Sequence, residues 1–355
     1  MFHSLLFICL ALATLTPTRA ATAQEVVRTA APLGTAAPAS SADSGWIERE
    51  RLLMGTRLTV RLQAESRAAA LAVAEAVFEE VARLESVLSS WSSDSELGRV
   101  NHAPPLRETV ASHELTYLLK DAARWAEATG GAFDPAIGAL VDAWGIRTGG
   151  RLPSDEELEA ALAASGIEHF EIYDGLARRT NQSAWIDAGG FGKGAALNAA
   201  RTVAERAGIS AGMLDFGGQL LLLGRQPSSE TVAVADPRSR SQAAATIKVG
   251  GGSVATTSLS EKRFFSGGED FGHILDPRTG RPAAAWGSVT VVAEDAMEAD
   301  LLATALFVMG PESGLKWAEK TGVSALFLNT SGDGIEVTWT SGLDGAVELT
   351  GHSAR

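Results

Sequence analysis

Asp300 and Thr304 stand four residues apart in EADLLATALFVMG, residues 298–310. On a helix that spacing puts a carboxylate and a hydroxyl on one face, a pair that can hold a hard cation. Read from this helix alone, the pair is better explained as a first-turn carboxylate facing the helix dipole beside a packed threonine. Upstream, HILDPRTGRP (273–282) places Pro second and Gly fifth in a tight turn, with His273 beside it. A histidine there serves either as a general base or as a turn residue bonded to a nearby carbonyl. SAWIDAGGFGKGAALN (183–198) reads as a strand running into a glycine-rich turn and then a helix over 194–207. Backbone amides at such a helix start can approach a phosphate, and Lys193 adds a positive charge. The glycine spacing fits neither the Walker A loop nor the dinucleotide fingerprint, so a purely structural turn stays open. VATTSLSEK (254–262) collects hydroxyls in what reads as a loop, able to donate to a ligand or to satisfy its own backbone. Trp91, alone in the polar stretch 89–101, is a lid over a core edge or a stacking platform for a planar ligand.

The elements that must carry these residues come mostly as hairpins and amphipathic helices. Residues 47–61 read as strand, kink at Met54-Gly55-Thr56, strand; 67–88 and 112–129 carry helical apolar stripes. Residues 131–145 mix turn and apolar residues, as in a loop with a short helix. Ser154 and Glu157 form a capping box for a helix through 164. Short strands are expected over 170–180 (a hairpin), 213–224 (two, around a double-glycine bend), 231–235, 245–249 and 288–293. Gly310-Pro311 stops the helix that carries Asp300; a helix over 312–320 and a closing hairpin over 323–340 follow, and the tail from 341 reads as weakly ordered. No regular βαβ rhythm appears. The pattern predicts an α+β fold, an antiparallel β-sheet core with surrounding helices in one domain over 46–340.

The chain has 355 residues, 45% apolar and 21% charged, enough for a sizeable core. Residues 1–20 hold a short apolar run, LLFICLALATL, and then small residues, as in a secretory signal peptide; an uncleaved membrane anchor is the alternative. Cys9, the one cysteine, lies inside that run, so cleavage would leave no disulfide or thiol chemistry. Residues 21–45, rich in Ala, Pro, Ser and Thr, read as a flexible linker. The formal charge is −13, and becomes −14 without residues 1–20, whose one charged side chain is Arg19. That balance disfavours nucleic acid and anionic lipid as partners, and leaves a phosphorylated ligand dependent on backbone amides or a metal ion.

Taken in order, MGT at 54–56, W-x-x-D-S-E-L-x-x-x-N at 91–101, GAFDPAIGALVDAWG at 131–145, IDAGGFGKGAA at 186–196, VATTS at 254–258, HILDPRTGRP at 273–282 and D-x-x-A-T at 300–304 resemble the ApbE family of FAD:protein FMN transferases. The resemblance runs from about residue 53 to about residue 310. It implies an ApbE-like (T-fold-like) domain, an exported or periplasmic location, FAD as substrate, Mg²⁺ as cofactor, and transfer of FMN to a Thr or Ser hydroxyl of an acceptor protein with release of AMP. Carried over residue by residue, Asp300, Thr304 and the main-chain carbonyl of Gly192 match the metal ligands. Trp91 matches an aromatic, usually Tyr, that stacks on the flavin. Met54, Phe133, Asp134, Asp187 and Lys193 match positions lining the FAD site; Thr256, Thr257 and Ser258 match a loop near the pyrophosphate; His273 matches the histidine nearest the reacting centre.

Two departures stand out. The family's Asn-x-Gly-Gly-Asp is here Asp215-Phe216-Gly217-Gly218-Gln219, and Leu259-Ser260 replaces a usual Gly-Asp or acidic pair. Three functions therefore remain: the flavin transferase, a Mg²⁺-dependent FAD pyrophosphatase yielding FMN and AMP, and a flavin-binding protein without turnover, the last favoured if Gln219 and Leu259 block the pyrophosphate.

Overall fold

The computed structural model describes residues 45–209, 211–224, 230–258, 263–332 and 334–350, all within one unit, Pro32–Arg355. The expected leader, the linker up to residue 44, Leu259-Ser260 and the end of the tail lie outside the described residues. β1 (Trp46–Leu53) and β2 (Thr56–Gln63) form the expected hairpin, closed by Met54 and Gly55 at φ 47° and 74°. A two-residue hairpin turn with positive φ at both positions suits glycine; Met54 holds it at a steric cost.

α1 (Arg67–Leu88) buries the predicted stripe, with the Ser66 hydroxyl accepting from the Ala69 N–H at 3.2 Å. The polar stretch 89–101 reads as one loop from its composition but is a loop only as far as Ser95. The Ser95 hydroxyl accepts from the Gly98 N–H at 2.8 Å and starts α2 (Glu96–His102), whose Leu97, Val100 and Asn101 are buried. β3 (Thr109–Val110), α3 (His113–Ala128), α4 (Gly138–Ala143) and α5 (Asp155–Ala163) follow. Both bonds of the predicted Ser154–Glu157 capping box are made. β4 (Phe170–Ile172) and β5 (Leu176–Arg179) are the expected hairpin, and β3 pairs with β5. Residues 184–187, expected as a strand, form none. The buried Asn101 side chain takes the place of a ladder, accepting from the Ile186 N–H and donating to the Ile186 carbonyl at 2.8 and 2.9 Å. α6 (Gly192–Arg206) begins at Gly192 rather than Gly194.

β6 (Ala211–Phe216), β7 (Gln219–Leu223), β8 (Glu230–Asp236), β9 (Ser239–Val249), β10 (Gly252–Ser258), β11 (Arg263–Ser266), β12 (Glu269–Gly272) and β13 (Gly287–Ala293) lead to α7 (Ala296–Met309), α8 (Pro311–Thr321), β14 (Ser324–Ser331) and β15 (Gly334–Trp339). The main sheet runs β1-β2-β6-β7-β10-β13-β14-β15, and every pair in it is antiparallel. α7 lies on β10 and β13 and against α6, buried almost all round. The opposite face is covered by the sheet β16-β9-β8, in which β16 (Val347–Leu349) pairs with β9; residues expected in a weakly ordered tail thus complete a second layer. No described helix is long and apolar enough to cross a membrane.

The largest revision concerns residues 254–258. Paired with β13 throughout and with β7 at Val254, they form a strand, because the β-branched Val254, Thr256 and Thr257 suit a sheet better than a loop. Ala255 faces the core under α7 and Val254 faces the second layer. Strand alternation therefore sends Thr257 toward α7 and sends Thr256 and Ser258 to the opposite face.

Candidate active site

The segment 184–194 is the spine of the site. Asn101 pins it at Ile186, the Ser90 hydroxyl accepts from the Ala188 N–H at 3.0 Å, and the Pro135 carbonyl accepts from the Asp187 N–H at 2.7 Å. Asp187 then accepts from the Gly189 N–H at 2.6 Å and bends the chain toward α6. At that helix start the Gly194 N–H donates to Asp300 Oδ2 at 3.1 Å. Lys193 Nζ donates to both oxygens of the same carboxylate, at 3.0 and 3.2 Å. Asp300 is only 7% exposed, and a buried carboxylate needs such partners. Here they are an ammonium and the positive end of a helix. Gly194 makes the approach feasible: a Cβ on it would lie 2.2 Å from the Ala296 carbonyl oxygen.

Thr304, one turn along α7, donates its hydroxyl proton to the Asp300 carbonyl at 3.3 Å, leaving its oxygen lone pairs outward. Gly190 lies beside it: a Cβ there would be 3.9 Å from Thr304 Oγ1 and 3.2 Å from the Phe133 ring. A Cβ on Gly192 would instead meet Met54 Cε and Ala188 Cβ, each at 3.4 Å. The Gly192 carbonyl, expected as the main-chain metal ligand, belongs to the first turn of α6, where helix geometry engages it with the amide four residues on. That bond uses one of the carbonyl's two lone pairs, and Gly190, on the same turn, lies next to Thr304. A carboxylate, a hydroxyl with free lone pairs and nearby backbone carbonyls make a hard-oxygen donor set, which fits Mg²⁺ and not zinc. No cluster of three or more His, Cys, Asp or Glu occurs among the described residues, so any such ion would complete its shell from water or substrate.

On the other side of the spine, Asp187 is paired with Arg147, which also lies over the Trp91 ring. Trp91 is 49% exposed and meets Trp185 edge-on at 5.0 Å between ring centroids. Burial pushes the Asp187 carboxyl up from the ordinary aspartate range, against the pull of Arg147, and the same burial lowers the Arg147 guanidinium. Trp91, Trp185 and Asp142 line a cavity of about 690 Å³.

Asp187, Lys193, Asp300 and Thr304 thus gather along the spine, with Met54 beside Gly192, Phe133 beside Gly190 and Trp91 joined through Arg147. Asp134 is turned to a different task. Its carboxylate accepts from the Ala136 and Ile167 N–H groups at 2.7 and 3.1 Å, and burial raises it. Thr256 shares a 2.8 Å hydroxyl contact with Thr290, and Ser258 donates to the Gly287 carbonyl at 3.3 Å, both on the sheet face away from α7. His273 follows β12 directly and precedes the Asp276 turn, whose Gly280 carbonyl accepts from the buried Trp144 Nε1 at 2.7 Å. Asp215 accepts from the Gly218 N–H at 2.8 Å, and Gln219 is buried, donating to the Ala296 carbonyl at 2.7 Å and to Ser253 Oγ at 3.1 Å. Gln219 therefore ties β7 to β10 and the start of α7. The sequence motifs assign no role to Arg147, Asn101 or Ser90; Asn101 lies in the motif at 91–101, whereas Arg147 carries no local signal.

A sequence model of the ApbE family matches residues 54–327. The chain belongs to the ApbE family. It is 29% identical over 315 residues to an FAD:protein FMN transferase of Klebsiella pneumoniae, covering 86% of this chain and 89% of that protein. It is 32% identical to the FAD:protein FMN transferase of Vibrio cholerae, with 70% and 77% covered. Among solved structures, the ApbE protein of Thermotoga maritima superposes with a TM-score of 0.77 at 30% identity, covering 83% of this chain and 97% of that one. The flavin transferase ApbE of Vibrio cholerae superposes at 0.75 and 27% identity, with 85% and 99% covered. The ApbE fold, an antiparallel sheet core with surrounding helices, is therefore this chain's fold.

Proposed function

We propose that this protein is a Mg²⁺-dependent FAD:protein FMN transferase that moves the FMN half of FAD onto a threonine or serine hydroxyl of an acceptor protein and releases AMP. The observation that carries the reading is the Asp300 carboxylate at the N-terminus of α6, with Thr304 one turn on, in a chain whose relatives carry that activity. Asp300, Thr304 and a backbone oxygen of the 190–192 turn would hold Mg²⁺, which supplies neutralisation of pyrophosphate charge. Lys193, whose side chain is partly exposed, can offer its ammonium to a phosphate oxygen. Trp91 offers a stacking face, and Met54, Phe133 and Asp187 line the adjoining wall. His273 takes the acceptor hydroxyl's proton as that oxygen bonds to the FMN phosphorus. The phosphorus–oxygen bond to the AMP phosphate breaks, and AMP leaves with the electron pair. The leader-like residues 1–20 make the periplasm, or another exported location, the proposed place of the reaction.

The test is to incubate the purified mature protein with FAD, Mg²⁺ and an acceptor domain bearing a target threonine. A fluorescent acceptor band with AMP formed one for one is expected. FMN and AMP without a labelled band would make the protein a pyrophosphatase, and FAD left intact would make it a binding protein. His273→Ala is expected to slow labelling about 100-fold, the lower end of a general base's contribution, because water can still accept the proton.

A further inference from the structure

We infer that Arg147 is a positioning residue for the planar ring of the substrate, an inference that rests on the reading of this site as an FAD site. Trp91 sits in a loop and is half exposed, so little of the core fixes its ring. What holds it is the Arg147 guanidinium over its face and the Trp185 edge beside it. Arg147 is itself anchored by Asp187 on the spine and lies 5.6 Å from the Trp185 ring centroid. One side chain thus joins the loop after α1, the loop after α4 and the segment 184–190.

Charge argues in the same direction. Arg147 pairs with Asp187, and Asp142 also feels its field. FAD brings a negative pyrophosphate, and without the guanidinium it would meet two unneutralised carboxylates beside Trp91. The guanidinium is planar and can slide along an aromatic face while keeping its bond to Asp187, which an ammonium cannot do equally well. Arg147 therefore presets the Trp91 platform and offsets the local negative charge, without touching the reacting phosphorus.

The test is FAD binding to the purified full chain in Mg²⁺, followed by equilibrium dialysis and by quenching of flavin fluorescence. Arg147→Met is expected to weaken binding about 10- to 100-fold, the size of a lost cation–π contact and charge-assisted hydrogen bond at a partly exposed site. Arg147→Lys is expected to fall between Met and wild type. Because Arg147 acts in part through Trp91, the loss from Arg147→Met is expected to shrink, though not to vanish, in a Trp91→Ala background, a coupling that a general loosening of the loop does not produce. Removing the guanidinium from the ring also changes tryptophan emission in the absence of FAD. FAD bound as tightly or more tightly by Arg147→Met, or losses from Arg147→Met and Trp91→Ala that simply add, would overturn the inference. If the wild-type chain bound no FAD at all, the FAD reading of the site would fail first and this inference with it.

Discussion

Asp300→Asn is expected to leave the protein folded and to reduce FMN labelling of an acceptor by more than about 100-fold, since outer partners of a metal alone cost about 10–100-fold and Asp300 is proposed as a direct ligand. The amide is nearly isosteric with the carboxylate and retains an oxygen to accept from the Gly194 N–H, so the α6–α7 contact survives. Lys193 loses its partner, but its side chain is 30% exposed and can turn to water. What disappears is the negative charge, the feature a hard divalent cation requires. Mg²⁺ should therefore raise the melting temperature of the wild-type protein by mass action and leave that of Asp300→Asn unmoved. The two readouts separate a lost metal site from a lost fold. Wild-type labelling by Asp300→Asn would remove Asp300 from the metal site.

The parts of the fold legible in the sequence are those with dense local signals. The stripe from Leu71 to Leu88, the Ser154–Glu157 box and the Met54-Gly55 turn each settle their own element, because period and capping chemistry lie within a few residues. Residues 254–258 misled for the opposite reason. Their strand character comes chiefly from β13, reached through the whole β11–β12 hairpin, with β7 pairing only as far as Val254, whereas the local glycines and hydroxyls suggest a loop. Ser95 is a capping residue that a run of polar neighbours concealed. The site divides in the same way. The Asp300/Thr304 pair is visible as a spacing, yet its meaning depends on Lys193 and Gly194 more than a hundred residues earlier. Arg147 is visible only once Asp187 and Trp91 converge on it. Asp134 shows the reverse: a carboxylate in a suggestive motif that the fold spends on two backbone amides.

Gly194→Ala is expected to destabilise the protein and to lower labelling at the same time. In an open helix alanine gains about 1 kcal/mol over glycine. At this position the new methyl would lie 2.2 Å from the Ala296 carbonyl oxygen and 2.6 Å from Met297 Cα. Both are backbone atoms at the start of α7, so no side chain can rotate away, and α6 and α7 must separate. Overpacking of this kind costs about 1–3 kcal/mol and sometimes more, which exceeds the propensity gain and sets the sign. For a domain of this size each kcal/mol lowers the melting temperature by about 2–4 °C. The separation also draws the Gly194 N–H and Lys193 away from Asp300, so activity should fall by more than the lost stability explains when both are measured well below the melting temperature. Gly250→Ala is the control: a Cβ there meets nothing within 4 Å, and the melting temperature should not move. A Gly194→Ala protein that melts and labels like the wild type would mean that α6 and α7 are not held at this distance, and the geometry assigned to Asp300 would have to be abandoned.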